Sequence, residues 1–291
     1  MSIVENFLKV DGGKIWYEVF TKKTKNTPLI VLHGGPGSSS YSMQTLDALS
    51  KDRTVVFYDQ LGCGLSDRAN DVSLWKKERF VLELETLRKH LGFDEISLLG
   101  QSWGTMLAVL YTLQYPKKVK SLALSGPFFS SKKWIEDTNK LKLTLPTNIQ
   151  KIIDENEKNK TYDSKEYEKA TLEFYKKYFC RIYPYPKPIR DGRKLKMSGD
   201  RVYNIMWGPT EFHCTGNLKN VDLTDKLKDI KIPVLLMCGK FDMATPETTK
   251  FYMNQFPNGQ MEIFNKSAHL MFLEEKEKYI KTVRKFLRIN S

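Results

Sequence analysis

This 291-residue sequence predicts an α/β fold with a mostly parallel sheet and a helical insertion. Short apolar runs typical of buried strands alternate with amphipathic helical stretches, and this pattern favours parallel strands joined by helices. The alternation stops after Gly126 and resumes after residue 216. The length is large for one compact core and small for two full domains. We therefore predict one core domain, residues 1–126 and 217–291, with a helical cap inserted at residues 127–216.

The N-terminal part of the core shows the pattern of a hairpin followed by two buried strands. Residues 3–10 and 14–20 flank Asp11-Gly12-Gly13, a turn signal between two strand-like segments. The apolar runs at residues 28–32 and 54–58 predict the first two buried strands of the sheet. Each of these runs ends in a glycine-punctuated loop, where the backbone can approach a ligand closely.

The middle of the core predicts helix, strand, helix and strand in succession. Residues 75–91 place apolar side chains at i, i+4, i+7 and i+11 on one helix face, and Gly92 ends this helix. A buried strand over residues 96–99 leads into a helix over 103–115, and residues 119–125 form the next strand. This alternation is typical of a parallel sheet covered by helices.

The insertion and the C-terminal part differ in their patterns. Residues 127–216 contain helical stretches such as 167–178 and no convincing buried strand. The strand pattern returns at residues 232–238 and 261–264, and a helix over 275–287 follows. The two late strands therefore extend the sheet that the first half of the chain begins.

Residues 100–104, Gly-Gln-Ser-Trp-Gly, have the form G-x-S-x-G between a predicted strand and a predicted helix. That context is what a nucleophile elbow requires, because a tight turn strains the serine and small residues let strand and helix pass closely. The hydroxyl of Ser102 would stand clear of the sheet, at the N-terminal end of a helix. Ser102 is therefore the candidate nucleophile, and an ordinary strand-to-helix turn is the alternative interpretation of this motif alone.

Acyl transfer by a serine needs a base, a carboxylate that orients the base, and N–H donors for the oxyanion. Asp242 and His269 follow Ser102 in the chain order that accompanies a nucleophile elbow. Each lies after a predicted strand, at the edge where open α/β sheets place their sites. We predict that these three residues form a catalytic triad. The remaining histidines open a glycine loop, end a surface helix or lie in the insertion, and are weaker candidates: His33, His90 and His213.

Two backbone N–H groups are the candidates for stabilising the tetrahedral oxyanion. The N–H of Trp103 lies in the first helical turn after the serine, where it has no helical partner. The loop at residues 33–37, His-Gly-Gly-Pro-Gly, should supply the other donor. Gly35 is the candidate in this loop, since Pro36 has no N–H. The glycines do not form a phosphate-binding loop, because no Gly-Lys-Ser/Thr follows them.

Composition argues against several other classes of protein. The sequence contains no H-E-x-x-H motif, no apolar stretch long enough to span a membrane, and no basic-then-apolar start typical of a signal peptide. The net charge of +13 comes from lysines spread along the chain, which indicates a solvated surface rather than a nucleic-acid interface. We expect a cytoplasmic enzyme without metal, cofactor, membrane or nucleic-acid partner. Four cysteines without C-x-x-C spacing indicate free buried thiols: Cys63, Cys180, Cys214 and Cys238.

Three loops together resemble the proline iminopeptidases of the α/β-hydrolase fold: residues 33–37 (HGGPG), 59–67 (DQLGCGLSD) and 100–104 (GQSWG). Residues 207–216, which contain WGPTEF and TG, look like the cap-exit motif of the subgroup that includes the tricorn-interacting aminopeptidase and related amino-acid amidases. The resemblance covers essentially the whole chain. It implies a serine aminopeptidase that releases an N-terminal residue, often proline, from short peptides or aminoacyl amides, without a cofactor.

The resemblance also implies how the substrate's free amino group is held. Carboxylates hold this group in the family, and Glu211 falls on one such position. The second family glutamate directly follows the triad aspartate, where this sequence has Met243. The alternative function is therefore an amidase, esterase or lactonase that acts on a small acyl substrate without requiring a free amine. A non-catalytic binding protein on the same fold is a further alternative.

Overall fold

The computed structural model describes residues 2–194 and 200–291, and these contain one eight-stranded sheet. The strands are β1 Ser2–Val10, β2 Gly13–Thr21, β3 Leu29–Leu32, β4 Val55–Tyr58, β5 Ile96–Gln101, β6 Val119–Ser125, β7 Val234–Gly239 and β8 Gly259–Phe264. Their spatial order is β1-β2-β4-β3-β5-β6-β7-β8. β1 and β2 form an antiparallel hairpin, β2 pairs antiparallel with β4, and the six strands from β4 to β8 run parallel. The predicted, mostly parallel α/β sheet is confirmed.

Ten α-helices accompany the sheet in the described part of the chain. They are α1 Lys77–His90, α2 Trp103–Gln114, α3 Ser131–Lys142, α4 Thr147–Asn159, α5 Lys165–Tyr178, α6 Lys187–Lys194, α7 Asp200–Met206, α8 Pro246–Met253, α9 Met271–Glu274 and α10 Lys276–Ile289. The predicted helix start at residue 75 is wrong by two residues. Trp75 and Lys76 have non-helical backbone angles, and a separate 3₁₀ turn, Val72–Leu74, precedes them.

The sheet is covered on both faces, so its central strands are buried completely. Every residue of β3, β4, β5 and β7 is buried. One face packs against α1 and α2, and the other packs against α10 and a 3₁₀ helix over Ser40–Lys51. Burial on both faces explains why these strands are continuous apolar runs rather than alternating ones.

The helices α3 to α7 all lie between β6 and β7 in the chain, within the insertion predicted at residues 127–216. Residues 195–199 of that prediction lie outside the described residues. In the described ranges, no helix combines the length and the apolar character that crossing a bilayer requires. The cysteines are free thiols, as predicted; Cys63, Cys180 and Cys238 are buried and Cys214 is half-buried.

Candidate active site

The G-x-S-x-G segment forms a tight turn between β5 and α2. Ser102 adopts φ 54° and ψ −121°, a conformation that residues with a side chain rarely occupy. Its N–H donates a 2.9 Å hydrogen bond to the carbonyl oxygen of Ser125, at the end of β6. Strain of this kind is typical of a nucleophile elbow. It holds the half-buried Ser102 at the carboxyl edge of the parallel strands.

The two glycines of the motif are required by close contacts between backbones. A Cβ atom on Gly100 would lie 2.4 Å from the carbonyl oxygen of Gly104. A Cβ atom on Gly104 would lie 2.2 Å from the carbonyl oxygen of Leu32, at the end of β3. Backbone atoms cannot move aside as a flexible side chain can. The helix α2 therefore passes β3 and β5 at a distance that only glycine permits.

We expect Gly104→Ala to destabilise the fold by about 3 kcal/mol, because the new methyl group forces β3 and α2 apart. The measurement is the free energy of unfolding in urea. Gly192→Ala is the matched control, since among the described residues its Cβ would meet only Tyr41 Cδ1, at 3.7 Å. Alanine within a helix is roughly 0.5–1 kcal/mol more favourable than glycine, so this control should be neutral or stabilising. Equal stability of Gly104→Ala and wild type would contradict the close packing.

Asp242 and His269 come together through the turns that follow β7 and β8. His269 Nδ1 donates a 2.7 Å hydrogen bond to Asp242 Oδ1, which also accepts the N–H of Ala244 at 2.8 Å. Asp242 Oδ2 accepts the N–H of Gly239 at 3.4 Å. The aspartate and the histidine are 1% and 2% exposed. With its proton on Nδ1, His269 keeps Nε2 as an acceptor in the cavity that Ser102 also lines.

The glycine loop after β3 is held by His33. The imidazole Nδ1 donates to the carbonyl oxygen of Gly34 at 2.9 Å, and Nε2 accepts the N–H of Gln60 at 3.0 Å. Burial lowers the pKa of His33 below its usual value, which favours the neutral imidazole that this pattern requires. Trp103 Nε1 donates to Gln60 Oε1 at 2.9 Å, which ties the loop after β4 to α2. Gly35 lines the cavity, at φ 110°.

Trp103 itself turns its side chain away from the cavity. The indole is completely buried, and its ring packs edge-on against Phe80 with centroids 5.9 Å apart. Its backbone N–H occupies the first turn of α2, where no carbonyl four residues earlier belongs to the helix. Of the two residues predicted to donate to the oxyanion, Gly35 lines the cavity. Trp103 does not line it with its side chain, so only its main-chain N–H, at the turn after Ser102, is available for that role.

The cavity next to Ser102 measures about 270 Å³ and is enclosed by two parts of the chain. The sheet-edge loops supply Gly35, Ser102, Met243 and His269. The segment between β6 and β7 supplies a set of aromatic rings, together with the carboxylate of Glu211. These rings belong to Phe128, Trp134, Phe179, Tyr203 and Trp207.

Glu211 presents its carboxylate to this cavity with one donor already on each oxygen. Trp134 Nε1 donates to Oε2 at 3.0 Å, and the hydroxyl of Tyr203 donates to Oε1 at 2.6 Å. Among the described residues that line the cavity, Glu211 carries the one carboxylate. Met243, at the position beside Asp242, is 2% exposed and lines the same cavity.

The backbone around Glu211 is fixed by helix α3. Thr138 Oγ1 donates to the carbonyl oxygen of Glu211 at 2.9 Å, and Asn139 Nδ2 donates to that of Phe212 at 2.7 Å. On the same helix, the ring of Trp134 packs edge-on against His269, with centroids 5.7 Å apart. One helix therefore contacts both the carboxylate and the histidine of the site.

The other two histidines lie away from this arrangement. His213 is paired with Glu157 at 2.6 Å and with the hydroxyl of Tyr162 at 3.2 Å, and it does not belong to the described cavity lining. His90 is exposed at the end of α1 and contacts the hydroxyl of Tyr17 at 2.9 Å. Neither histidine is placed to take a proton from Ser102.

Sequence reasoning missed Trp134 and Tyr203 as members of the site. The contact between Trp134 and Glu211 joins residues 77 positions apart, one on helix α3 and the other in the loop after α7. Tyr203 precedes Glu211 by eight positions and lies just before the cap-exit motif. That proximity is the one signal that could have pointed to it.

The fold and the site define a serine hydrolase of the α/β-hydrolase class, and the alpha/beta hydrolase fold family profile matches residues 27–276. A proline iminopeptidase of Heyndrickxia coagulans is 46% identical, with 97% of this chain and 98% of the relative covered. A proline iminopeptidase of Clostridium botulinum is 39% identical, with both chains covered completely. The chain belongs to the proline iminopeptidase family.

Solved structures agree with this placement. Proline iminopeptidase of Mycobacterium smegmatis superposes with a TM-score of 0.91 at 32% identity, covering 99% of this chain and 98% of the other. VinJ superposes with a TM-score of 0.94 at 30% identity, covering 99% of each chain. An esterase of Exiguobacterium antarcticum, at 21% identity and a TM-score of 0.68, shares the fold alone. The fold and the family expected from the three loop motifs are confirmed.

Proposed function

We propose that this enzyme releases an N-terminal proline from short peptides or aminoacyl amides through an acyl-enzyme at Ser102. The observation that carries the proposal is the position of the Glu211 carboxylate, in the cavity that is also lined by Ser102 and by His269, the partner of Asp242. A carboxylate in an otherwise aromatic cavity suits a positively charged amine, because a buried ammonium is costly unless it is paired. The names of the 46% and 39% identical relatives support the choice of proline.

The proposed chemistry follows from the hydrogen bonds of the site. His269 Nε2 takes the proton of the Ser102 hydroxyl as the oxygen attacks the substrate carbonyl, and the proton then passes to the leaving amine. Asp242 holds the imidazole through Nδ1 and stabilises the imidazolium that forms. The N–H groups of Gly35 and Trp103 are proposed to stabilise the oxyanion. A water molecule, activated by the same histidine, then hydrolyses the ester of Ser102.

The proposed binding of the substrate amine by Glu211 determines that a single residue is released. Glu211 would bind the protonated N-terminus, so only the first peptide bond lies at Ser102. The helical segment at residues 127–216 is proposed to act as a cap that admits short peptides and excludes folded chains. Its aromatic side chains form much of the cavity wall, which supports this role.

Met243 favours a second candidate function. The buried thioether of Met243 lies where the proline iminopeptidases resembled by this sequence have a second carboxylate. A substrate ammonium therefore has one anionic partner fewer. The alternative is an amidase, esterase or lactonase that acts on small acyl groups. A panel of prolyl, other aminoacyl and simple acyl anilides, each free and N-acetylated where possible, separates the two functions. Preference for the free prolyl compound supports the aminopeptidase, and equal or better turnover of compounds without a free amine supports the alternative.

We expect Glu211→Gln to raise the KM for free prolyl anilide and to change hydrolysis of its N-acetyl form very little. Losing one partner of a desolvated charge pair costs roughly 2–5 kcal/mol. The ratio of kcat/KM for the free over the acetylated anilide should therefore fall by at least about 30-fold. Glu157→Gln is the matched control, since Glu157 pairs with His213 and does not belong to the described cavity lining. An unchanged ratio in Glu211→Gln would remove the anchoring role.

A further inference from the structure

We infer that Trp134 and Tyr203 restrict the Glu211 site to two free acceptor positions, so that it selects a secondary ammonium over a primary one. This inference rests on the proposed role of Glu211 as the amine anchor. It makes Trp134 and Tyr203 determinants of specificity, and it assigns the selection to the number of N–H groups on the substrate amine rather than to the shape of its ring.

The two donors occupy different oxygens of the carboxylate. Trp134 Nε1 lies 3.0 Å from Glu211 Oε2, and the Tyr203 hydroxyl lies 2.6 Å from Oε1. An indole N–H can only donate a hydrogen bond. Burial, and then the charge of Glu211, raise the pKa of Tyr203 well above its usual range, so its hydroxyl remains protonated. Both groups therefore donate to Glu211 throughout the working pH range.

Counting acceptor positions gives the selectivity. An ionised carboxylate has about four lone-pair positions, two on each oxygen. Among the residues that the structure describes, Trp134 and Tyr203 are the donors to the Glu211 carboxylate, one on each oxygen, which leaves one free position on each. The protonated N-terminus of a prolyl substrate has two N–H groups and can satisfy both. A primary ammonium has three N–H groups, so one of them is left over.

The third N–H of a primary ammonium finds poor acceptors in the cavity. Met243, where the resembling family has a second carboxylate, offers only a thioether, which is a weak acceptor. The walls supplied by the insertion are mainly aromatic. Other polar lining groups, such as Gln101 and Ser39, belong to the sheet-edge segments that carry Ser102 and Gly35. A primary amine therefore leaves a donor without a partner when it enters the site, and an unsatisfied buried donor weakens binding.

Packing holds the two donors to Glu211 in place, which allows the site to distinguish a secondary ammonium from a primary one. Trp134 packs edge-on against Phe128, with centroids 5.3 Å apart, and against His269. Thr138, one turn further along α3, fixes the main chain of Glu211. The carboxylate cannot rotate to release an acceptor position without breaking the bond from Trp134 or from Tyr203.

The test uses three anilides: prolyl, N-methylalanyl and alanyl. N-methylalanine has the secondary amine of proline but the open side chain of alanine. It therefore distinguishes an effect of the number of N–H groups from an effect of the proline ring. We expect kcat/KM for the N-methylalanyl anilide to exceed that for the alanyl anilide by roughly 10–100-fold in the wild-type enzyme, the effect of one unsatisfied donor. Equal rates for these two compounds, with the prolyl compound far ahead of both, would overturn the inference in favour of ring shape.

Two variants test the assigned residues. Trp134→Phe keeps a ring against His269 and frees one position on Glu211 Oε2, and Tyr203→Phe frees one on Oε1. In each variant the N-methylalanyl-to-alanyl ratio should fall by at least about fivefold, because a third acceptor becomes available. Trp207→Phe is the matched control, since its ring also lines the cavity but its indole donates to the carbonyl oxygen of Thr210, at 2.7 Å, and Thr210 is not among the described lining residues. It should leave the ratio unchanged, whatever it does to both rates.

The outcomes separate this inference from the proposed function. If Glu211→Gln lowers the free-to-acetylated ratio while Trp134→Phe and Tyr203→Phe leave the N-methylalanyl-to-alanyl ratio unchanged, the anchor stands and the inference is wrong. If the wild-type enzyme shows no preference for free amines, the proposed function fails first. Tyr203 lies on α7 and Trp134 on α3, so the second variant keeps the test decisive if one of them does not fold.

Discussion

Ser102→Ala is expected to lower kcat for prolyl anilide on the order of 10⁶-fold, because no other group can form the acyl-enzyme. The remaining rate should still exceed that of the uncatalysed reaction by roughly 10³–10⁴-fold, through binding and the oxyanion donors. The fold should survive, since alanine is smaller than serine and the hydrogen bond to the Ser125 carbonyl comes from the main-chain N–H.

Two measurements check this expectation together. A fluorophosphonate probe should label the wild-type protein at one site and leave Ser102→Ala unlabelled, as judged by intact mass. The urea midpoint should match that of the wild type, which shows that activity was lost without unfolding. Activity within tenfold of wild type, or labelling of the variant, would place the nucleophile elsewhere and contradict the elbow assignment.

The sheet could be predicted because strands buried on both faces have a simple apolar pattern in the sequence. The strands β3, β4, β5 and β7 are buried on both faces and therefore appear as unbroken apolar runs. Boundaries were less accurate where proline intervenes. The strand predicted from residue 232 begins at Val234, after Pro233, whose ring nitrogen cannot donate to a neighbouring strand.

Two of the helical elements that the sequence did not predict were missed for different reasons. The 3₁₀ helix Ser40–Lys51 buries Met43, Leu46 and Leu49 at a spacing of three, which differs from the apolar period of an α-helix. Helix α8 does carry a start signal, with Thr245 as N-cap and Pro246 in its first turn. Its eight residues are too few for a clear apolar periodicity.

The site likewise has one part that the sequence predicts and one part that it does not. The predicted triad rested on chain order and strand ends, which local sequence records. The environment of Glu211 rests on contacts between α3, α7 and the cap-exit segment, and their relative positions depend on packing across the whole insertion. The indole of Trp134 and the hydroxyl of Tyr203 could therefore be assigned to the site only from the three-dimensional structure.

Helix α3 connects Glu211 to the loop that carries Asp242. Its Trp134 binds Glu211, and its buried Asp137 accepts a 3.0 Å hydrogen bond from the hydroxyl of Thr245, three residues after Asp242. A shift of this helix would move the carboxylate and the triad loop together. If Glu211 anchors the amine as proposed, the distance between this amine and the scissile bond depends largely on one helix of the inserted segment.

His269→Ala is expected to cost about as much as loss of Ser102, on the order of 10⁶-fold in kcat, because the two act as a unit. The matched control is His213→Ala. That histidine also pairs with a carboxylate, Glu157, at 2.6 Å, and it does not belong to the described cavity lining. It should retain most of the activity. If His213→Ala abolished hydrolysis and His269→Ala did not, the assignment of the base would be wrong.

Asp242→Asn should lower kcat about 10⁴-fold with little change in KM, for a reason visible in its hydrogen bonds. Asp242 Oδ1 accepts both from His269 Nδ1 and from the N–H of Ala244. If the asparagine oxygen takes that place, the tautomer survives but the imidazolium loses its compensating charge. If the amide nitrogen takes it, His269 must carry its proton on Nε2 and cannot accept one from Ser102. Both orientations impair the same step, so combining Asp242→Asn with Ser102→Ala should lower kcat no further than Ser102→Ala alone. A loss below tenfold in Asp242→Asn would show that this carboxylate does not support the base.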